Sequence, residues 1–233
     1  MEILTDVPKR ALAIYAHPDD ADVSCGGTLA RWSRLGCEIG LVICASGDKG
    51  SADPTLITDD LVRIRENEVN NAKFYLGVTE VIFLHIPDGE VLNDISLRMQ
   101  LVDKIRKFQP EVVISPDPTA VFFGEHYYNH RDHRETGWAA LDAVSPASSS
   151  PLYFKESGPP HHVSYMLLSG TLEPFVFIDI TESIDDKEKA VRSHVSQLGE
   201  STEWLRSVVR ARAQEAGHAA GLSFAEGFRR VQF

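Results

Sequence analysis

The sequence predicts an α/β fold, a Rossmann-like α/β/α sandwich built on a mainly parallel β-sheet. Short apolar runs recur along the chain, helical patterns separate the first four of them, and the runs are almost continuously apolar. Continuous apolar strands are typical of sheets covered on both faces. Strands that alternate with helices favour parallel pairing through right-handed crossovers.

Six apolar runs bounded by turn residues are the predicted strands, and the last two are candidates for antiparallel pairing. They are Ala11–Ala16, Gly40–Ala45, Val81–Ile86, Val112–Ser115, Val163–Leu168 and Phe175–Ile180. Ligands of open α/β sheets bind beyond the carboxyl ends of the strands. Polar residues that directly follow a strand are therefore the first candidates for a functional site.

Apolar residues three or four positions apart predict the helices. The predicted helices are Thr28–Leu35, Asp60–Leu76, Ser96–Phe108 and Thr136–Val144, followed by a charged helical stretch over residues 182–215 with a break at Gly199. A Ser- and Pro-rich segment, Ser145–Pro160, predicts a surface loop.

Length and composition favour an ordinary globular protein. The 233 residues predict a single domain spanning 1–233. A net charge of −11 argues against nucleic acid or an anionic membrane as partner. The chain lacks an apolar run of roughly 18 residues, which predicts no membrane span. Three scattered cysteines and the lack of a secretory signal predict a reducing, cytoplasmic location.

The first motif, His17-Pro18-Asp19-Asp20, directly follows the first predicted strand. Pro18 stiffens the loop because it fixes its own φ and restricts the residue before it. Imidazole and carboxylate are natural zinc ligands, and His17 and Asp20 are close enough to share one ion. Asp19 lies between them and is a candidate general base. In the alternative interpretation these aspartates only cap a helix.

The second motif lies in residues 126–137, after the fourth predicted strand, and contains an H-x-D-H cluster. Its three histidines are His126, His130 and His133. One histidine of the cluster can complete a metal site with His17 and Asp20, and two nitrogens and one oxygen leave the open position of a catalytic site. The other can act as an acid or oxyanion stabiliser. Asp132 is expected to hold a ring N–H and raise that histidine's pKa.

Together, Ala16–Asp20 and Asn129–Gly137 resemble the PIG-L/LmbE-like zinc de-N-acetylase family in order, spacing and strand context. Weaker similarities cover most of the chain: Arg65–Glu68 with Leu76-Gly77, Pro87–Gly89, His194–Gln197 and Ala225–Arg229. The sequence departs from the family's common pattern at Ala21 and Arg131. Neither departure removes a proposed ligand.

The resemblance implies a ligand set and a role for each site residue. His17, Asp20 and His133 would bind one Zn²⁺ per chain, a donor set that Fe²⁺ or Co²⁺ also accepts. Asp19 would be the general base, His130 the protonated oxyanion stabiliser and acid, and Asp132 the residue that tunes His130. Arg65 and Tyr128 match positions that contact substrate in some members.

The predicted function is therefore metal-dependent hydrolysis of an N-acetyl group on an amino sugar or glycoconjugate. Three alternatives remain open from the sequence: an amidase that cleaves a larger N-acyl conjugate, a Rossmann-like nucleotide-binding module, and a non-catalytic metal-bound binding protein. The resemblance also implies a homo-oligomer, a trimer or hexamer. Of the other histidines, His85 is expected in the core, and His161 and His162 in a solvated loop.

Overall fold

The structure is a computed structural model that describes residues 1–51, 53, 55–125, 127–198 and 202–233. An eight-stranded sheet runs through it in the order β1-β9-β10-β8-β5-β2-β3-β4. Its strands are β1 (Glu2–Ile3), β2 (Arg10–Tyr15), β3 (Glu38–Ala45), β4 (Glu80–Ile86), β5 (Val112–Pro116), β8 (Tyr165–Ser169), β9 (Val176–Asp179) and β10 (Ala225–Gln232). The strands β6 (Phe122–Phe123) and β7 (Tyr127–Tyr128) form a separate hairpin.

The mainly parallel α/β sandwich is confirmed, but the expected direction of its last predicted strands is wrong. β8 runs parallel to β5, and β9 runs parallel to β1. Among the described strands of this sheet, β10 alone is antiparallel, and it pairs with both β8 and β9. The strand β10 was not predicted because its sequence, AEGFRRVQ, mixes charged with apolar residues.

Seven described α-helices accompany the sheet, and a π-helical segment (Ala143–Ser148) and a short 3-10 helix (Lys155–Ser157) lie within or next to the predicted surface loop. The α-helices are α1 (Asp20–Arg34), α2 (Thr58–Leu76), α3 (Ile95–Phe108), α4 (Arg131–Asp142), α5 (Ile184–Arg192), α6 (Val195–Leu198) and α7 (Thr202–Ala220). The predicted stretch 182–215 is interrupted at 193–194, where His194 is buried. The predicted break at Gly199 lies outside the described residues.

Two of these helices begin at least five residues earlier than predicted. The sequence placed the first helix from Thr28 and the fourth from Thr136, whereas α1 begins at Asp20 and α4 at Arg131. The first turn of α4 is polar, and that of α1 alternates Asp20 and Asp22 with Ala21 and Val23, so an apolar period of three or four residues detects neither turn. The two candidate metal-binding motifs therefore lie at helix N-termini: Asp20 begins α1 directly after His17–Asp19, and Asp132 and His133 belong to the first turn of α4.

The core lies on both faces of the sheet. Along β2, Ala11, Ala13 and Tyr15 pack into one hydrophobic cluster. Leu12 and Ile14 point the other way, into a second cluster. This double coverage explains the continuous apolar strands.

Gly137 positions α4 against the end of β5. A Cβ atom at this glycine would lie 2.5 Å from the carbonyl oxygen of Pro116. Glycine thus allows the helix backbone to approach the carboxyl end of the strand directly. This contact fixes the second motif at the same sheet edge as the first.

Candidate metal centre and active site

The first turns of α1 and α4 bring the two motifs together. Asp19 occupies the N-cap position of α1, yet within the described structure its side chain makes no capping hydrogen bond. Asp20 instead folds back, and its Oδ2 accepts the backbone N–H of His17 at 2.7 Å. His130 is the N-cap of α4, and its Nδ1 accepts the N–H of Asp132 at 3.2 Å. Helix capping therefore does not account for the aspartates of the first motif.

Three side chains converge with the spacing of metal ligands. His17 Nδ1 lies 3.0 Å from His133 Nε2, and His133 Nε2 lies 3.1 Å from Asp20 Oδ1. His17 Nδ1 lies 3.4 Å from Asp20 Oδ2. Ligand atoms about 2.0–2.2 Å from a tetrahedral zinc ion are about 3.3–3.6 Å apart. The three side chains thus fit one small divalent cation with little rearrangement.

The outer ring nitrogen of His17 and that of His133, which face away from the proposed ion, each have a hydrogen-bond partner. His17 Nε2 lies 3.1 Å from Asp88 Oδ1 and 3.5 Å from Asp132 Oδ2. His133 Nδ1 is 2.9 Å from Asn129 Oδ1. Such acceptors fix the tautomer and ring orientation of ligating histidines. The inward nitrogens of His17 and His133, which face each other and Asp20, are therefore the ones positioned to bind an ion.

Two further donor groupings overlap this one. The donor atoms of His17, His130 and His133 lie within 4.8 Å of one another, as do those of His17, Asp88, His130 and Asp132. Asp132 is fully buried, and its Oδ1 has no hydrogen-bond partner in the described structure. The residues present therefore suit a divalent cation.

The carboxylates and the histidines of the cluster shift each other's pKa values strongly. Burial alone would lower the pKa of His17, but the carboxylates of Asp20, Asp132 and Asp88 raise it to about 12. Burial would raise the pKa of Asp20, yet His133 and His17 hold it well below its usual range. The carboxylates thus stay ionised and keep protons on the neighbouring rings, which a bound cation would displace.

The expected hydrogen bond from a ring N–H of His130 to the Asp132 carboxylate does not form in the described structure, although the two groups are within ion-pair distance. Asp132 Oδ2 lies 4.0 Å from His130 Nδ1 and accepts the N–H of Gly89 at 2.7 Å. Burial lowers the pKa of His130, and the nearby charge of His17 lowers it further, although Asp132 acts in the opposite direction. Asp132 therefore supports His17 rather than holding His130 protonated.

A cavity of about 1050 Å³ opens at the cluster, and Asp19, Arg65 and Asp88 line it together with the three histidines. Arg65 is buried and donates hydrogen bonds to the carbonyls of Gly47 and Gly50. Burial lowers the pKa of Arg65, while the carboxylate of Asp19 opposes that shift. Asp19 and Arg65 thus share one wall of the cavity beside the candidate metal ligands.

The hairpin corrects the expectation for Tyr128. This side chain is 56% exposed and its hydroxyl bonds to Arg134, so it does not line the cavity. Tyr127 lines the cavity instead, together with its cross-strand partner Phe123. Tyr127 and Tyr128 point to opposite faces of the hairpin, because successive side chains of a strand alternate. The sequence did not predict this short hairpin.

The other histidines lie apart from the cluster. His85 was expected in the core, but its side chain is 59% exposed and faces Glu66. His161 binds the carbonyl oxygen of Pro110, and His162 is exposed, as expected for a loop. The prediction for His126 lies outside the described residues. Sequence reasoning missed the contacts of Asp88 and Asn129, although both sit inside segments that carried the resemblance.

Comparisons with known proteins agree with this site. Residues 12–144 match the family PIG-L, described as GlcNAc-PI de-N-acetylase. A diacetylchitobiose deacetylase of Thermococcus kodakarensis is 31% identical, over 96% of this chain and 83% of that protein. The crystal structure of N,N'-diacetylchitobiose deacetylase from Pyrococcus horikoshii, complexed with its inhibitor MPG, superposes with a TM-score of 0.89 at 31% identity, over 97% of this chain and 84% of the other. A 1D-myo-inositol 2-acetamido-2-deoxy-alpha-D-glucopyranoside deacetylase of Saccharopolyspora erythraea is 29% identical, over 65% of this chain and 62% of that protein.

Proposed function

Since the chain belongs to the PIG-L family of de-N-acetylases, we propose that it hydrolyses the acetamide of an N-acetylated amino sugar, with zinc as its metal. The observation that carries this proposal is the convergence of His17, Asp20 and His133 at a cavity that Asp19 also lines. De-N-acetylation of an amino sugar is the activity that the comparisons support.

His17, Asp20 and His133 are the proposed ligands. Two nitrogens and one oxygen suit Zn²⁺, and Fe²⁺ or Co²⁺ accepts the same donors. A metal held there would polarise the acyl oxygen and make a water molecule more acidic. Asp88, Asp132 and Asn129 would hold the two ligand rings in place through their outer nitrogens. The proposed role of Asp132 is thus to orient His17.

Asp19 is the proposed general base. Its carboxylate faces the cavity without a capping bond in the described structure, so it can accept a proton from the water that attacks the acyl carbon. Arg65 lines the same cavity, and its positive charge is the proposed contact for the sugar.

His130 is the proposed oxyanion stabiliser and acid. It lies beside the proposed ligands, with ring centroids of His17 and His130 4.9 Å apart. Its lowered pKa favours the neutral ring in the free protein. The negative charge that develops on the acyl oxygen would raise that pKa. His130 would then hold a proton and deliver it to the departing amine nitrogen.

Three broader expectations accompany this function. The three cysteines are buried and free, and burial raises the pKa of Cys44 to about 12, which suits unreactive thiols in a reducing cytoplasm. Among the described residues, no helix has the length and apolar character needed to cross a bilayer. We further expect residues 1–233 to act as one domain and to assemble into a homo-oligomer, which sedimentation analysis would test.

The direct test is acetate and free-amine release from N-acetylglucosamine and N,N'-diacetylchitobiose by the zinc-loaded protein. Parent protein should release both products in equal amounts, and His133→Ala protein should neither bind zinc nor turn over. Release of a larger acid from an acyl conjugate, with no acetate from either sugar, would favour an amidase instead. Zinc binding without hydrolysis of any amide would favour a binding protein.

A further inference from the structure

The cavity extends well beyond the metal cluster. Its volume of about 1050 Å³ lies at the upper end of the range for pockets that hold drug-sized ligands, about 300–1,000 Å³. The polar groups that would handle an acetamide are gathered at one end. The space therefore has room for more than one sugar ring.

The rest of the cavity wall is largely apolar, and we name this part the apolar arm. Its side chains come from the β6–β7 hairpin, the segment that leads into β9, and α7. They are Phe123, Tyr127, Leu172, Pro174, Phe177 and Ala216. Phe177 and Ala216 belong to a small hydrophobic cluster that forms the floor of the arm.

Much of this apolar surface is open to solvent in the free protein. Leu172 is 54% exposed, and Tyr127 is 48% exposed. The rings of Phe123 and Tyr127 are 5.6 Å apart and tilted by 53°, so together they present a continuous aromatic surface. Exposed apolar surface that continues a catalytic cavity is typical of a ligand-binding region.

We propose that the apolar arm binds an apolar aglycone, so that the substrate is an N-acetylated amino sugar joined to an aryl or alkyl group. This inference rests on the function proposed above. The group attached to the sugar must leave the metal cluster through the same cavity, and it meets these apolar walls. A second sugar would place hydroxyl groups against Phe123, Leu172 and Phe177, whose side chains offer them no hydrogen-bond partner. Polar side chains also line the cavity beside the arm: the exposed Arg212 and Glu215 on α7, the buried Asp117, and Ser169, Thr171 and Gln197.

The test compares three substrates of the zinc-loaded protein: N-acetylglucosamine, its phenyl glycoside, and N,N'-diacetylchitobiose. Burial of a phenyl ring should raise kcat/KM for the phenyl glycoside roughly 10–100-fold above N-acetylglucosamine. The second sugar of diacetylchitobiose should give a smaller gain. Equal kcat/KM for phenyl glycoside and N-acetylglucosamine, or a larger gain with diacetylchitobiose, would overturn the proposal.

A matched pair of variants locates the effect. Leu172→Asp should bring the kcat/KM ratio of phenyl glycoside to N-acetylglucosamine close to one. Leu152→Asp should leave that ratio unchanged, because Leu152 is also an exposed leucine, 75% accessible, but lies outside the cavity. An unchanged ratio in Leu172→Asp would also overturn the proposal.

Failure of this inference is distinguishable from failure of the proposed function. Hydrolysis of N-acetylglucosamine without a phenyl gain refutes the aglycone site alone. If none of the three sugars is hydrolysed, the proposed function fails, and calorimetric binding of the same sugars decides the arm. Tighter binding of the phenyl glycoside that Leu172→Asp removes would support the arm, and equal binding would refute it.

Discussion

His17 and His133 are each held by a hydrogen-bond partner on the ring nitrogen that faces away from the other ring. Asp88 serves His17, and Asn129 serves His133. Asn129 is itself fixed, because its Nδ2 donates to the carbonyl of Ala120 at 2.8 Å in a buried position. The orientation of the candidate ligands therefore depends on residues outside the proposed set His17, Asp20 and His133.

Asn129→Leu should weaken zinc binding about 10–100-fold, because His133 loses the acceptor that orients it. Asn129→Asp keeps an oxygen acceptor at the same place and should bind zinc more tightly than Asn129→Leu. Competition with a chromophoric chelator measures both affinities. Identical affinities in the two variants would show that the acceptor does not matter.

Asp19→Asn should lower kcat roughly 10²–10⁴-fold, because the amide cannot accept a proton from water. Zinc content should stay at the parent level, since Asp19 lies beside the ligand set and outside it. Steady-state kinetics with metal analysis on the same sample checks both statements. Parent-level turnover in Asp19→Asn would remove Asp19 from the role of general base.

The sequence predicts which residues come together at the site, but not which neighbour each side chain contacts. The two motifs predicted a shared site because both follow strands at one edge of the sheet, and His17, Asp20 and His133 do meet there. The pairing of Asp132 with His17 instead of His130 depends on the first turn of α4, which residue spacing does not describe. The same is true of Tyr127 and Tyr128, because the hairpin that decides which of them faces the cavity was not predicted.

Among the elements, the turn between α5 and α6 is tied to the helix that carries the first motif. His194 is fully buried and pairs with Asp22 of α1. The next turn is anchored as well, because Glu68 of α2 accepts both the N–H and the hydroxyl of Ser196. These contacts explain why the charged helical stretch breaks at His194, which helical periodicity alone could not show.

The His194 pair predicts a pH dependence of stability. Burial alone would lower the pKa of His194, but Asp22 raises it above its usual 6.5. A folded pKa above the unfolded value gives stability that is fully present below pH 6.5 and is lost as the pH rises through the folded pKa.

His194→Gln should remove the loss of stability that the parent protein shows as the pH rises. Urea unfolding of metal-free protein at pH 6, 7 and 8 compares the free energy of unfolding of parent and variant. The difference in free energy of unfolding between parent and variant should decrease as the pH rises. A constant difference would contradict the stabilising role of the His194–Asp22 pair. Metal-free samples keep the ligand histidines equivalent in the two proteins.

The loop after α4 depends on one buried arginine. Arg106 of α3 donates to the carbonyl oxygens of six residues: Ala147, Ser148, Ser150, Tyr153, Phe154 and Gly158. A planar guanidinium with five N–H donors suits this arrangement, and an ammonium group does not. The sequence predicted a surface loop here but gave no sign that it is fastened to the core.

Arg106→Lys should lower the free energy of unfolding by about 3 kcal/mol, because several charge-assisted hydrogen bonds are lost together. Arg98→Lys, a change on the same helix in a more exposed ion pair with Asp142, should cost at most about 1 kcal/mol. Urea unfolding measures both. Equal losses in the two variants would contradict the anchoring role of Arg106.

For the molecule as a whole, the sheet topology makes the site. β2 and β5 are neighbours and run parallel, so the segments that follow them emerge at one edge although they lie more than a hundred residues apart in sequence. The position of β10 between β8 and β9 could not be predicted from apolar runs, because it depends on long-range pairing of a strand that mixes charged and apolar residues. The part of the fold that carries the candidate metal centre was nevertheless predicted, because its strands are short, apolar and separated by helices.

The central claim is that the ion held by His17, Asp20 and His133 is required for deacetylation. The most direct measurement is a zinc titration of metal-free protein, with bound zinc and acetate release from an N-acetylated amino sugar recorded on each sample. We expect acetate release to rise in proportion to bound zinc, to saturate at one ion per chain, and to disappear again with a chelator. Full acetate release by the metal-free protein, or saturated zinc binding by His133→Ala protein, would contradict the account.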